Sequence, residues 1–104
     1  MLISGGENVY PAEIERVINE IPEVAEVSVI GIPDEKWGEV PKAFIVGLPG
    51  STLTSETISE HCRSKLAGYK VPRQIEFLDQ LPRTPSGKVL KRKLRKATPI
   101  CLDT

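Results

Sequence analysis

Two loops combine turn-forming residues with polar side chains in an order that regular structure does not require: Ser4-Gly5-Gly6-Glu7-Asn8 and Arg83-Thr84-Pro85-Ser86-Gly87-Lys88. In the second, a lysine follows directly on a Pro/Gly-fixed loop and stands just before a patterned helix. A lysine held in that way is a positioned point charge, suited to negative charge that develops on a phosphoryl or carboxylate oxygen. The spacing invites a P-loop reading, which requires G-x-x-x-x-G-K-[ST]. Pro82 stands where the first glycine belongs and Val89 follows the lysine, so the amide cradle and the metal-binding hydroxyl are both missing. On the residues alone, a plain surface lysine is the simpler reading of Lys88. The first loop is a sharp turn, since Gly and Asn tolerate positive φ. His61 and Cys62 have no spaced metal partner; His61 reads as a partly exposed helix residue and Cys62 as core. Glu13 and Glu15 read as a solvated helix face rather than an acid–base pair.

These loops need elements to hold them. Pro11 suits the first turn of a helix, and Ile14, Val17, Ile18 and Ile21 repeat as one apolar stripe. Residues 24–32 are β-branched and partly alternating, so they predict a strand. Residues 34–38 read as a polar loop carrying the only tryptophan, Trp37. Residues 42–48 are nearly all apolar and predict a central strand covered on both faces. Thr54 is an N-cap candidate for a helix to about Ala67, with Gly68 at its C-cap. Residues 69–73 read as extended, 74–78 as a third strand, and Val89, Leu90 and Leu94 as the anchors of a last helix. Residues 98–104 read as a loose tail. The predicted order is loop–α–β–β–α–β–α: an α+β domain with a small three-stranded sheet flanked by helices and an N-terminal glycine-turn segment.

The chain has 104 residues, enough for one domain with its own core. That size argues against a complete multi-substrate enzyme with an enclosed pocket. Apolar residues at 39% and charged residues at 27% read as globular. No apolar run approaches the roughly 20 residues of a membrane helix, and no signal peptide is visible. With only Cys62 and Cys101, the expectation is a reduced, cytoplasmic setting. Net charge is zero, yet residues 1–60 hold eleven acidic and three basic side chains, and residues 61–104 hold three acidic and eleven basic. The zero total gives no general affinity for nucleic acid, while the basic end, at +8 against −8 for the first sixty residues, suits a local phosphate.

The chain resembles the C-terminal domain of the acyl-adenylate-forming enzymes, a family that includes acyl-CoA synthetases. The resemblance is carried by ISGGENVYPAEIE at 3–15, IPDEKWGEVPKAFIV at 32–46 and LAGYKVPRQIEFLDQLPRTPSGKVLKRKLR at 66–95. It covers residues 1–97, nearly the whole chain, and the E-K-W-G and G-Y-K-V-P-R stretches look most like the fatty or aryl acid branch. The resemblance implies an AMP-forming ligase. A carboxylate attacks the α-phosphate of ATP, releasing pyrophosphate, and the coenzyme A thiol then attacks the acyl carbon, releasing AMP. It implies that a large N-terminal adenylation domain of the same parent chain holds ATP, magnesium and the carboxylic acid. The small domain would rotate between the steps, bind none of these alone and be inactive alone. It implies that the chain starts just past the hinge. Lys88 matches the family's adenylation lysine. Gly5, Gly6 and Glu7 match the loop of the thioester step, where glycines let backbone approach the pantetheine arm. Trp37 and Tyr69 match aromatic positions near the coenzyme A nucleotide, and Lys70 and Arg73 are placed to meet its phosphates. Val71 departs from relatives that carry a basic residue there. Plainer readings stay open: Trp37 as an edge plug of the core, Lys70 and Arg73 as an exposed basic pair. The alternative function, less favoured, is a small module whose basic helix, KVLKRKLRK, contacts nucleic acid phosphate.

Overall fold

The computed structural model describes residues 2–87 together with Val89, Lys91, Lys93 and Leu94. Strands β1 (Leu2–Ser4) and β2 (Glu7–Val9) are followed by helix α1 (Pro11–Asn19), strands β3 (Val24–Asp34) and β4 (Gly38–Gly47), helix α2 (Ser55–Lys65), a 3-10 turn (Gly68–Lys70) and strand β5 (Gln74–Phe77). The α+β class holds, but the sheet has five strands rather than three, in the order β2-β1-β4-β3 with β5 also on β4.

The two additional strands come from the segment read as a loop. Gly5 and Gly6 lie at φ 58° and 86°, and Ser4 faces Glu7 across them. Positive φ at both central residues is the requirement of a tight two-residue hairpin whose twist matches its strands. Each arm is only three residues long, too short for a periodic signal, which is why the sequence reads as a loop. A second hairpin joins β3 to β4. Asp34 Oδ2 accepts from the backbone N–H groups of Lys36 at 3.0 Å and Trp37 at 2.8 Å, and Gly38 at φ 86° closes the turn. The expected polar loop at 34–38 is therefore a three-residue turn, with ladder pairing as far as Asp34↔Gly38.

β4 is the middle of the sheet. β3 pairs along one edge, antiparallel; β1 and β5 share the other, with β5 parallel over Lys42–Ile45. Alternation sends Ala43 and Ile45 to one face and Val40, Phe44 and Val46 to the other. The first face packs on Ile14, Val17 and Ile18 of α1 and Ile58 and Cys62 of α2. The second packs on Ile30, Ile32, Leu81 and Leu94. Both faces are covered, as the unbroken apolar run predicts. Lys42 shares the second face; its buried amine pairs with Glu76 at 2.9 Å and lies 4.8 Å from the Phe44 ring centre.

Pro11 opens α1, and Thr54 Oγ1 accepts from the Thr57 N–H at 3.2 Å to cap α2. α2 ends at Lys65, with Leu66 already extended. Gly68 is not its cap: it begins the 3-10 turn and is not among the glycines at positive φ. Residues 68–70 thus coil where an extended segment is predicted, and the chain straightens at Val71, ahead of Pro72. Of the last predicted helix, Lys91, Lys93 and Leu94 are helical, whereas Val89, expected as one of its anchors, pairs with Arg83 in an isolated bridge instead; its remaining residues and the tail at 98–104 lie outside the described residues. Among the described residues no helix is long and apolar enough to cross a membrane.

Candidate functional site

The two hairpin tips meet. The Gly5 N–H donates to the Trp37 carbonyl at 2.8 Å. A Cβ on Gly5 would stand 2.6 Å from Trp37 Cε3, so the indole occupies the space that a side chain at position 5 would need. A Cβ on Gly6 would meet nothing within 4 Å. One glycine is a seat for the tryptophan and the next is open to the outside. Glu7 follows, exposed, at the start of β2.

Trp37 is half-buried and packs against the second core face. Two cations flank its ring: the Arg73 guanidinium carbon at 5.6 Å and Lys36 Nζ at 5.2 Å from the ring centre. Both distances are within cation–π range. The backbone of Arg73 is fixed by its N–H, which donates to the Pro41 carbonyl at 2.9 Å as β5 joins β4. Gly5, Gly6, Trp37 and Arg73, spread over nearly seventy positions of sequence, are thereby brought to one surface.

Tyr69 and Lys70 sit on the 3-10 turn, which lies against β2 and β4. Tyr69 packs on the first core cluster. Lys70 Nζ pairs with Glu13 Oε1 at 3.0 Å. The hydrogen bond to that carboxylate holds the Lys70 ammonium pKa above its ordinary value. Lys70 is thus held by a carboxylate, whereas Arg73 contacts the Trp37 ring.

A cleft of about 390 Å³ opens beside Arg73, lined by Ser59, Arg63, Gly68, Val71, Pro72 and Arg73. Among the described residues neither Arg63 nor Arg73 has a carboxylate partner. Two arginines lining one cleft, neither with a carboxylate partner among the described residues, are suited to a phosphate. Sequence reasoning missed Arg63. It is one of several charged residues on α2, and only the packing of that helix beside Val71–Arg73 singles it out.

The second loop is closed by an antiparallel bridge between Arg83 and Val89. Within it the Gly87 N–H donates to the Thr84 carbonyl at 2.8 Å, and the Thr84 and Ser86 hydroxyls are 2.8 Å apart. Gly87 lies at φ 92°. Arg83 Nη1 donates to the Gly87 carbonyl at 2.7 Å, while Arg83 Nη2 pairs with Glu26 on β3. Beyond the loop, Lys91 pairs at 3.1 Å with Glu15 of α1, whose Oε2 also accepts from the Val29 N–H on the β3 edge. Lys88 itself lies outside the described residues. His61 is partly exposed and bonded to Glu20 at 3.0 Å, and Cys62 is buried, as the sequence indicates. Among the described residues no group of three or more His, Cys, Asp or Glu side chains is placed to hold a metal ion.

Comparison with known proteins adds to this geometry. The chain is 52% identical over 96 residues to a long-chain-fatty-acid–CoA ligase of Mycobacterium tuberculosis, covering 92% of this chain and 19% of that one. It is 50% identical to a feruloyl-CoA synthase of Amycolatopsis, covering 92% and 20%. Among solved structures, the ATP-bound MatB of Rhodopseudomonas palustris superposes with a TM-score of 0.90 at 39% identity, over 93% of this chain and 19% of that one. The chain thus spans about a fifth of the length of the curated relatives it matches. Residues 13–88 match the AMP-binding enzyme C-terminal domain, and with half of the aligned positions identical to CoA ligases, the chain belongs to that family.

Proposed function

We propose that residues 1–97 form the mobile C-terminal domain of an ATP-dependent carboxylic acid–coenzyme A ligase of the fatty or aryl acid type. It is inactive alone and completed by an N-terminal adenylation domain of the same parent chain. ATP, coenzyme A and the carboxylic acid are the substrates of the whole ligase. In the first step Lys88 offsets the negative charge that moves from the attacking carboxylate onto the α-phosphoryl oxygens as pyrophosphate leaves. In the second, the Gly5–Gly6 tip lines the path of the pantetheine arm, and Glu7 flanks it. The open space over Gly6 supports that role, because backbone alone faces the path. The observation that carries the reading is the meeting of this tip with Trp37 and Arg73 beside a cleft bearing Arg63.

The residues present fit coenzyme A. Trp37 offers a partly exposed ring for its adenine, whereas Tyr69 packs on the other core cluster and is not brought beside it. Arg73 and Arg63 offer charge for its phosphates. Lys70 is the weaker member, because it must leave Glu13 to take part. In this reading magnesium travels with ATP on the other domain. The nucleic acid alternative gains no support: Lys91 of the basic helix is engaged by Glu15.

Half-reactions of the full ligase test the reading. Lys88→Ala should slow ATP–pyrophosphate exchange by ~10²–10³ and spare thioester formation from a supplied acyl-adenylate. Gly6→Leu should do the reverse. Equal loss of both half-reactions in Lys88→Ala would make that lysine structural and refute the assignment.

A further inference from the structure

We propose that Arg83 is the positioning residue for Lys88, clamping the turn that presents it. The inference rests on the reading of Lys88 as the adenylation lysine. One guanidinium uses two separate nitrogens. Nη1 donates to the carbonyl of Gly87, the residue directly before Lys88, and Nη2 is ion-paired with the Glu26 carboxylate on β3. The backbone of Arg83 is also bridged to Val89, the residue directly after Lys88. Both chain neighbours of the lysine are therefore tied to one residue, and that residue is tied to the sheet.

The clamp answers a specific need. The turn contains Gly87 at φ 92°, and a glycine has more backbone freedom to lose than any other residue. A catalytic charge on such a hinge would be spread over many positions. A displacement of about 1 Å can cost roughly 100-fold in rate, so something must fix the Gly87 carbonyl, and Arg83 does so. The planar guanidinium reaches two acceptors in different directions, whereas a lysine ammonium is a single point charge. Arg83 and Glu26 side chains are 39% and 33% exposed. An ion pair at that exposure contributes only about 0–1 kcal/mol to folding. Stability alone gives little reason for this pair, and loop geometry gives a clear one.

The experiment compares Arg83→Ala, Arg83→Lys and Lys88→Ala in the full ligase, with both half-reactions measured. Arg83→Ala is expected to lower ATP–pyrophosphate exchange about 10- to 100-fold, with Arg83→Lys intermediate. Thioester formation from a supplied acyl-adenylate should stay within about twofold of the unaltered enzyme, separating positioning from general damage. On the 104-residue chain itself, Arg83→Ala should accelerate amide hydrogen exchange at Gly87 and Val89 while leaving the amides of β3 and β4 protected. Unchanged exchange activity in Arg83→Ala beside a dead Lys88→Ala would overturn the clamp and leave the lysine assignment standing. Equal loss of both half-reactions in Arg83→Ala would also overturn it, as a purely structural residue. Full adenylation by Lys88→Ala would instead overturn the lysine reading, and the clamp with it.

Discussion

Gly5 and Gly6 are neighbours at positive φ, yet the fold uses their missing side chains differently. At Gly5 the space is already filled by Trp37; at Gly6 it is empty. Gly5→Ala should therefore cost about 1–3 kcal/mol, from backbone strain and displacement of the indole. Gly6→Ala should cost about 1–2 kcal/mol from backbone strain alone. Thermal melts read the difference, and Trp37, the only tryptophan, reports its cause. Its emission should shift in Gly5→Ala and not in Gly6→Ala; an equal shift in both would show that the seat is not specific. Cys62 offers a second check at this scale. Burial pushes its thiol pKa up to about 11. At pH 8 roughly a thousandth of such a thiol is thiolate, against about a quarter for an ordinary one. In a Cys101→Ser background, Cys62 should react with a disulfide reagent at least ~100-fold more slowly in the folded chain than in denaturant. Because the folded pKa is raised, its stabilising contribution is complete below the ordinary thiol pKa of about 8.5. It is lost as the pH rises through about 11, so denaturation midpoints should fall over that alkaline range.

The elements follow from local rules to different degrees. α2 begins where Thr54 caps it, and Thr54→Ala should destabilise the chain by about 1 kcal/mol, with Thr54→Ser largely neutral. Urea denaturation measures both, and a neutral Thr54→Ala would show that packing alone sets the start of α2. β4 was legible because an apolar run is the signature of a strand covered on both faces. The β1–β2 hairpin was not legible as strands. Three residues an arm give no period to read, and its partner, Gly38 on β4, is distant in sequence. The 3-10 turn at 68–70 was missed because a glycine after a helical stripe is usually a cap. Here α2 had already ended at Lys65.

Across the molecule, the charge asymmetry becomes a set of internal contacts. Glu13 meets Lys70, Glu15 meets Lys91, Glu20 meets His61 and Lys65, and Glu26 meets Arg83. In each, an acidic residue of the first sixty faces a basic group or histidine beyond them. Exposed pairs of this kind are worth only about 0–1 kcal/mol each, so they guide which segments dock more than they hold the fold. The sequence by itself determined the α+β class, the central strand, the starts of α1 and α2, the family resemblance and the two chemically loaded loops. All of these are written in runs of adjacent residues, where composition, period and turn chemistry act locally. Tertiary structure alone decided that Gly5 seats Trp37, that Arg63 joins Arg73 at one cleft, that Lys70 is taken by Glu13, and that Arg83 spans Glu26 and Gly87. Apart from the Arg83–Gly87 bond and the Arg63–Arg73 pair, which is ten residues apart, each of these joins groups far apart along the chain. Their meeting is fixed by strand register and by which helix face is buried, and no local pattern encodes either.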